Sequence, residues 1–222
     1  MSVASAPLTT EQLLALDPVI PVVAIDDAAD AVPLARALLD GGLRTIEVTL
    51  RTPAALDAIA RIARELPDVV VGAGTVTGAP QASAAGDAGA RFLVSPGCTP
   101  RLLDVLSACG LPFLAGCATP SDLVALQERG IGCAKLFPAE AIGGLALAKA
   151  LAGPFPDMRL CPTGGIDADR APDYLALPNV ACVGGTWIAR GPLHGEEALA
   201  RVTTLARAAA GLRAAEPPPA SR

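Results

Sequence analysis

One lysine of this sequence lies in the middle of a short apolar run, where a charge is costly to bury. Lys135 is one of only two lysines among 17 basic residues, and Gly132 and Pro138 bound its run, as glycine and proline bound buried strands. Burial disfavours the charged form of an amine, and a neutral amine can attack a carbonyl to form a Schiff base. Lys135 therefore indicates Schiff-base chemistry, and a buried structural lysine paired with a carboxylate is the alternative interpretation.

A second group of polar residues lies in the segment Thr45–Arg51, where polar and apolar residues alternate. Alternate residues of a strand face opposite sides, so Thr45, Glu47, Thr49 and Arg51 share one face, which we expect to point inward. Buried polar side chains need partners, and Arg51 would lie at the carboxyl end of the strand, where barrel active sites are found. An internal ion pair between Glu47 and Arg51 that only stabilises the fold is the alternative.

Two pairs of glycines could bind an anion through their backbone. Gly164 and Gly165 lie at the seventh predicted strand, and Gly184 and Gly185, followed by Thr186, lie at the eighth. Paired glycines let a backbone approach a ligand closely, and successive amides at a helix N-terminus hold phosphate. Barrels often bind a phosphate after these two strands, so the pattern predicts a phosphate site there.

These residues are positioned by about eight strands that alternate with helices. The predicted strands are Val19–Ile25, Thr45–Leu50, Val69–Val76, Arg91–Ser95, Pro112–Ala118, Cys133–Pro138, Arg159–Thr163 and Val180–Ile188. Such alternation with short connections requires a parallel sheet covered by helices. We therefore expect an α/β fold, a (β/α)8 TIM barrel with a short N-terminal helix and a C-terminal helix over about 196–212. An open doubly wound sheet is the rival, but no GxGxxG follows the first strand.

Composition bounds the architecture and the partners. We expect one barrel domain over residues 1–213 and a disordered, proline-containing tail over 214–222. A net charge of −5 without a basic cluster argues against nucleic-acid or anionic-membrane partners. The six cysteines are scattered and the sequence has a single histidine, so the usual spacing of metal ligands is absent. We therefore predict no metal and no cofactor. The first ten residues lack signal-peptide features, so we expect a cytoplasmic protein.

With these residues in place, the sequence resembles the 2-keto-3-deoxy-6-phosphogluconate (KDPG) aldolases of the class I pyruvate-aldolase family. The resemblance covers about residues 18–188 and rests on six segments in the family's order, GGLRTIEVTLRT, VGAGTV, SPG, KLFPAE, CPTGGI and GGTW. Members are (β/α)8 barrels, commonly trimers, and many also cleave 4-hydroxy-2-oxoglutarate. The resemblance thus implies the barrel that the strand pattern predicts, a homotrimer, and a phosphorylated 2-keto acid as the small-molecule substrate.

The resemblance also implies a role for each matching residue. Lys135 matches the Schiff-base lysine and Glu47 the general acid/base, whereas Arg51 and Thr75 match residues that hold the pyruvyl carboxylate. The remaining implied site residues are those of the substrate pocket, Pro96, Phe137 and Thr163, and those of the phosphate site, Gly164, Gly165, Gly184, Gly185 and Thr186.

The reaction implied is cleavage of KDPG to pyruvate and glyceraldehyde 3-phosphate through an iminium on Lys135, without a metal. Cleavage of 4-hydroxy-2-oxoglutarate to pyruvate and glyoxylate is a second implied activity. Three alternatives stay open: an aldolase for the galactonate epimer, a phosphate-binding barrel isomerase or decarboxylase that uses Lys135 as an electrostatic clamp, and a non-catalytic sugar-phosphate-binding barrel. Thr163, in the segment PTGG, resembles the gluconate type.

Overall fold

The computed structural model describes residues 8–212, in which eight strands alternate with helices as predicted. The strands are β1 Val19–Val23, β2 Thr45–Thr49, β3 Val70–Gly74, β4 Leu93–Val94, β5 Phe113–Cys117, β6 Cys133–Leu136, β7 Arg159–Pro162 and β8 Val183–Gly185. The helices are α1 Thr10–Leu14, α2 Ala31–Asp40, α3 Ala55–Glu65, α4 Ala79–Asp87, α5 Pro100–Ala108, α6 Pro120–Gln127, α7 Gly144–Leu151, α8 Ala171–Leu175 and α9 Glu196–Ala210.

The strands form one parallel sheet that closes on itself. Neighbouring strands follow the order β7-β6-β5-β4-β3-β2-β1-β8, which is sequential around the ring. Two isolated bridges, Leu160 to Val180 and Thr163 to Gly184, join β7 to the segment of β8. The predicted (β/α)8 barrel is confirmed, since a doubly wound sheet would reverse its strand order.

Apolar side chains form two separate cores. The larger one lies between the strands and the surrounding helices and includes Ile46 and Val48, the residues of β2 that face outward. The smaller one fills the lower barrel, where Phe92 and Leu114 pack with Leu13 of α1. Thr9 caps α1 by accepting a hydrogen bond from the backbone of its third residue, which fixes the helix across the barrel's amino end. The carboxyl end of the barrel is therefore the end left open for polar groups.

Several strands end earlier along the chain than the sequence pattern predicts. Phe137 and Pro138 leave β6, and β8 ends at Gly185 because residues 187–189 form a 3-10 turn. Trp187 lies where a side chain at Gly185 would be, with its ring 2.1 Å from the position of a Cβ there. The residues after these strand ends therefore form loops at the carboxyl end of the barrel.

Other predictions concern the ends of the chain and its surroundings. The C-terminal helix is confirmed as α9, and Thr203 ties it to α2 by donating to the carbonyl of Ala37 at 3.1 Å. The tail predicted over 214–222, and the outermost residues of the predicted domain, lie outside the described residues. Over residues 8–212, no helix combines the length and the apolarity that crossing a membrane requires.

Candidate active site

Lys135 and Glu47 meet in the interior of the barrel. Nζ of Lys135, on β6, lies 3.1 Å from Oε1 and 3.4 Å from Oε2 of Glu47, on β2. Both residues are buried, with 5% and 3% of their surfaces exposed. The ring of Phe137 lies beside the amine, 5.3 Å from Nζ to the ring centroid, a distance at which an aromatic face attracts a cation. The structure thus pairs a buried amine with a buried carboxylate in the barrel interior.

Two glycines make room for Glu47 and for Pro96. Gly74, on β3, lies beside Glu47, and a Cβ there would be only 2.2 Å from Oε1 of the carboxylate. Gly116, on β5, is the register partner of Lys135, and a Cβ there would be 2.3 Å from the carbonyl carbon of Pro96. Sequence analysis did not assign these roles, because a glycine inside a strand gives no hint of which neighbour occupies the space it leaves. The structure places Pro96 over the strand next to Lys135.

Arg51 lies above the pair, at the exposed rim. Its Nε donates to the hydroxyl of Thr49 at 3.0 Å, and Thr49 donates to the carbonyl of Val23 at 2.9 Å. The predicted inward set of β2 is therefore observed, but Glu47 pairs with Lys135 and not with Arg51, so the alternative of a Glu47–Arg51 ion pair is wrong. Arg51 and Thr186 both line a cavity of about 600 Å³ at the carboxyl end of the barrel, whose lining includes neither Lys135 nor Glu47.

Thr75 follows β3 in an unusual backbone conformation. Its φ of +62° is the only positive value among the described residues other than glycine. A β-branched residue rarely adopts this conformation, which costs of order 1–3 kcal/mol and is found most often at functional sites. The hydroxyl makes no hydrogen bond within residues 8–212. Thr75 is thus held at the rim with an available hydroxyl, and within residues 8–212 no side-chain hydrogen bond joins it to the other predicted site residues.

Phe137 lies between Lys135 and the loop after β7, and Thr163 lies at the start of that loop. The Phe137 ring packs against Gly164, where a Cβ would be 3.3 Å from the ring. Thr163 is buried, and a Cβ at its bridge partner Gly184 would lie 2.2 Å from the Thr163 hydroxyl. Gly184 and Gly185 are therefore glycines because Thr163 and Trp187 occupy the space of their side chains. The paired glycines predict the close approach of a ligand, whereas in the structure these two side chains fill the space that the glycines leave.

Two consecutive glycines in the loop after β7 have positive φ angles. Gly164 and Gly165 have φ values of +101° and +80°. The backbone amides of Gly165, Ile166 and Thr186 donate to no acceptor in the part of the chain that the structure describes. Amides that converge in a turn can bind an anion, so the two loops can accept a phosphate at the rim.

A layer of thiols lies below the amine. Cys133 precedes Lys135 by two residues on the same face of β6, and burial raises the pKa of its thiol to about 12. The thiol therefore stays protonated and acts as a small apolar group. Among the described residues, no three His, Cys, Asp or Glu side chains are grouped so that they could hold a metal ion.

Comparisons with known proteins agree with this geometry. The family model described as "KDPG and KHG aldolase" matches residues 10–205. A 2-dehydro-3-deoxy-phosphogluconate aldolase of Pseudoalteromonas atlantica is 46% identical over 202 residues, which cover 91% of this chain and 94% of that protein.

Two solved structures show the same similarity in three dimensions. One is the 2-keto-3-deoxy-6-phosphogluconate aldolase of Zymomonas mobilis with 3-phosphoglycerate, which has a TM-score of 0.89 and 43% identity over 94% of this chain and 98% of the other. The other is the KDPG aldolase of Legionella pneumophila with pyruvate captured as a covalent carbinolamine, which has a TM-score of 0.86 and 42% identity over 91% of this chain and 98% of the other. Fold, motifs and relatives agree, and the chain belongs to the KDPG and KHG aldolase family.

Proposed function

We propose that this chain is a class I aldolase that cleaves KDPG into pyruvate and glyceraldehyde 3-phosphate. The observation that carries the proposal is the buried pair of Lys135 and Glu47, with 3.1 Å between amine and carboxylate. An amine there can form an imine with a ketone, and a carboxylate within hydrogen-bond reach can move the protons that the reaction requires. Membership of the family supports the same activity.

The first half of the reaction forms the imine. Lys135 gives a proton to Glu47 and attacks C2 of the keto acid with its lone pair. The C2 oxygen takes up the proton that the attacking nitrogen loses, which gives a neutral carbinolamine while Glu47 stays protonated. Glu47 would then protonate the departing hydroxyl, so that water leaves and an iminium remains on Nζ. The iminium is the electron sink for the next step.

The second half breaks the C3–C4 bond. Its electron pair moves toward the iminium and leaves an enamine on Lys135, while the C4 hydroxyl gives its proton to Glu47 and becomes the aldehyde of glyceraldehyde 3-phosphate. Glu47 would return a proton to C3, and hydrolysis of the iminium would release pyruvate. Acid/base assistance of this kind contributes typically about 10²- to 10⁴-fold to a rate.

Arg51 and Thr75 would hold the carboxylate end of the substrate. The guanidinium lies at the rim above Glu47 and can donate two parallel hydrogen bonds to a carboxylate, which would orient C2 toward Nζ. The unpaired hydroxyl of Thr75 could provide a further donor. Pro96 and Phe137 would form the walls that exclude water around the carbonyl.

The loops after β7 and β8 would bind the phosphate. The amides of Gly165, Ile166 and Thr186 are available as donors, and the Thr186 hydroxyl lines the same cavity as Arg51. Thr163, in the segment PTGG, resembles the gluconate type, and from this resemblance we infer a preference for the gluconate epimer over the galactonate epimer.

A relative supports the covalent step. The aldolase of Legionella pneumophila, 42% identical to this chain, binds pyruvate as a covalent carbinolamine. The family description also names KHG, and we propose cleavage of 4-hydroxy-2-oxoglutarate as a second activity at the same site. The phosphate loops would not contribute to that reaction, so we expect a lower kcat/KM for the short substrate.

The direct test is retro-aldol cleavage of both epimers of the phosphorylated keto acid, with pyruvate release measured through lactate dehydrogenase. We expect turnover of the gluconate epimer, slower turnover of the galactonate epimer, and none in a Lys135→Ala variant. Retained activity in that variant would contradict the assignment of Lys135. Decarboxylation or isomerisation without pyruvate release would favour the barrel isomerase or decarboxylase, and binding without turnover would favour a non-catalytic barrel.

The assembly and the compartment are also proposals. We propose a homotrimer, as the family resemblance implies, and a cytoplasmic location. Light scattering on the purified protein would test the trimer, and a monomer or dimer mass would exclude it. Fractionation of the native cells would test the location, and activity in the periplasmic or secreted fraction would exclude the cytoplasm.

A further inference from the structure

A second polar cluster, of which only Tyr174 is fully buried, packs against the loop after β7. Glu140 is in the loop after β6 and accepts a hydrogen bond from the hydroxyl of Tyr174, on α8, at 2.5 Å between oxygens. The other oxygen of its carboxylate accepts from Arg170 at 2.8 Å. The proposed reaction uses none of these three side chains, although Glu140 ends the segment KLFPAE that carries the family resemblance.

The same cluster holds the backbone of the loop. The carbonyls of three consecutive residues are tied from one side: that of Thr163 accepts from the amide of Ala139 at 2.8 Å, and that of Gly164 accepts from the amide of Glu140 at 3.1 Å. The carbonyl of Gly165 accepts from the guanidinium of Arg170 at 3.4 Å. These carbonyls are occupied, whereas the amides of Gly165 and Ile166 donate to no acceptor in the described part of the chain, and successive free amides in a turn can bind an anion.

The side chain of Glu140 also packs directly against the loop. A Cβ at Gly165 would lie 2.7 Å from Cβ and 2.8 Å from Cγ of Glu140. The positive φ of Gly165 and the missing side chain thus let the loop rest on Glu140. A change in the position of Glu140 must therefore change the position of the amides of Gly165 and Ile166.

The charge of Glu140 is kept from opposing a phosphate. Both carboxylate oxygens are occupied by donors, and one of these donors is a guanidinium that neutralises the charge. Tyr174 is almost fully buried, and burial together with the neighbouring carboxylate raises the pKa of its hydroxyl well above the ordinary value. The hydroxyl therefore remains a proton donor over the whole working range of pH. Arg170 is itself fixed, because its amide donates to the carboxylate of Asp167 at 3.0 Å.

We propose that Glu140 is a positioning residue that, through Tyr174 and Arg170, holds the loop 163–166 in its phosphate-binding conformation. The inference rests on the proposed function, since it assigns the phosphate of the substrate to that loop. It separates two tasks within one site: the Lys135–Glu47 pair carries the chemistry, and the Glu140 cluster sets the affinity for the phosphorylated end of the substrate.

The test compares a phosphorylated and an unphosphorylated substrate in Glu140→Ala, Glu140→Gln and Arg170→Ala variants. In Glu140→Ala, we expect the KM for KDPG to rise roughly tenfold with kcat nearly unchanged, since uniform binding is lost. The kcat/KM for 4-hydroxy-2-oxoglutarate should stay within about twofold, because no phosphate contact is involved. Inorganic phosphate should inhibit the variant more weakly than the unchanged protein. Glu140→Gln keeps an acceptor for Tyr174 and should restore part of the affinity.

Two arginine variants distinguish a loss of phosphate affinity from a loss of folding. Arg170 is exposed, so Arg170→Ala cannot fail by opening the core, and Arg64→Ala removes a comparably exposed ion-paired arginine on α3. Of these two arginine variants, only Arg170→Ala should have a higher KM for KDPG. An equal loss on both substrates, or unchanged KM values in all three cluster variants, would overturn the proposal. Imine trapping with pyruvate tests the proposed function separately, because pyruvate carries no phosphate: its absence from the unchanged protein would mean that the proposed function had failed.

Discussion

Nζ of Lys135 and Oε1 of Glu47 lie 3.1 Å apart, although 88 positions separate the two residues in the chain. Their strands, β6 and β2, are not neighbours but face each other across the barrel. The distance between them is therefore set by closure of the whole ring and by the small residues that line it. A change in any strand between them should therefore change the distance between Lys135 and Glu47.

Removing one partner of the pair should destabilise the barrel more than removing both. Lys135→Met leaves the Glu47 carboxylate buried without its partner, which typically costs about 3–5 kcal/mol in unfolding free energy. Adding Glu47→Gln removes the unpaired charge, so the double variant should be more stable than Lys135→Met alone. Urea unfolding of the two single variants and the double variant measures this coupling. Additive losses would show that the pair does not interact in the folded protein.

Glu47→Gln should separate imine formation from turnover. The amide keeps the size of the side chain but cannot accept a proton, so we expect kcat to fall about 10²- to 10⁴-fold. The amine of Lys135 is still present, and borohydride should still trap an imine with pyruvate. Steady-state assays and intact-mass measurements give the two quantities. A Glu47→Gln variant with normal kcat would assign the proton transfers to another group.

Gly74→Ala should disturb Glu47 without touching Lys135. The new Cβ would lie 2.2 Å from Oε1 and 2.7 Å from Cγ of Glu47, so the carboxylate must move. A displacement of about 1 Å at a catalytic group can cost roughly 10²-fold in rate, and we expect a fall in kcat of that order.

Gly153→Ala is the matched control for this substitution, because a Cβ at Gly153 would have no neighbour within 4 Å. It should leave kcat unchanged. If Gly74→Ala were as active as Gly153→Ala, the position of the Glu47 carboxylate would not limit the reaction.

Asp122 should make the stability of the barrel depend on acid pH. Burial alone would raise the pKa of its carboxyl, but hydrogen bonds from the amide of Ala118 and from the amide and hydroxyl of Thr119 outweigh it and lower the pKa below 3.8. The folded state thus binds the proton less tightly than the unfolded chain, so the carboxylate stabilises above pH 3.8 and this contribution is lost as the pH falls through the lower folded pKa.

The measurement is the unfolding free energy of Asp122→Ala against the unchanged protein between pH 7 and pH 3. At neutral pH the variant should be about 1 kcal/mol less stable, because the capping-box bonds that the Asp122 side chain accepts at the start of α6 are lost, and the difference should shrink below pH 4. Asp57→Ala removes only an exposed pair with Arg61 and should change stability by about 0.5 kcal/mol or less. A constant difference at every pH would mean that the charge of Asp122 does not stabilise the cap.

Much of the architecture could be predicted from the sequence because it depends on local patterns. Strand and helix alternation predicted the barrel, and the two-residue period of β2 predicted that Glu47 and Thr49 face the interior. The ends of the strands were less predictable. Trp187 fits the pattern of a strand, but its ring takes the space beside Gly185, which ends β8 three residues before the predicted boundary.

The contacts between distant segments could not be predicted in this way. Gly74 is a glycine because of Glu47, and Gly165 is one because of Glu140, and neither relation follows from spacing along the chain. They depend on the register of neighbouring strands and on the direction of loops, which only the closed barrel defines. The role of Glu140 does not follow from the sequence for the same reason, since its partners Arg170 and Tyr174 lie at α8, about 30 residues further along the chain.

Borohydride trapping with pyruvate tests the central claim most directly. The unchanged protein, incubated with pyruvate and reduced, should carry one covalent 1-carboxyethyl group, which is the reduced pyruvate imine. Peptide mapping by mass spectrometry should place it on Lys135 and not on Lys149. The Lys135→Arg variant should carry none. An adduct on another residue, or no adduct in a protein that still cleaves KDPG, would contradict the account.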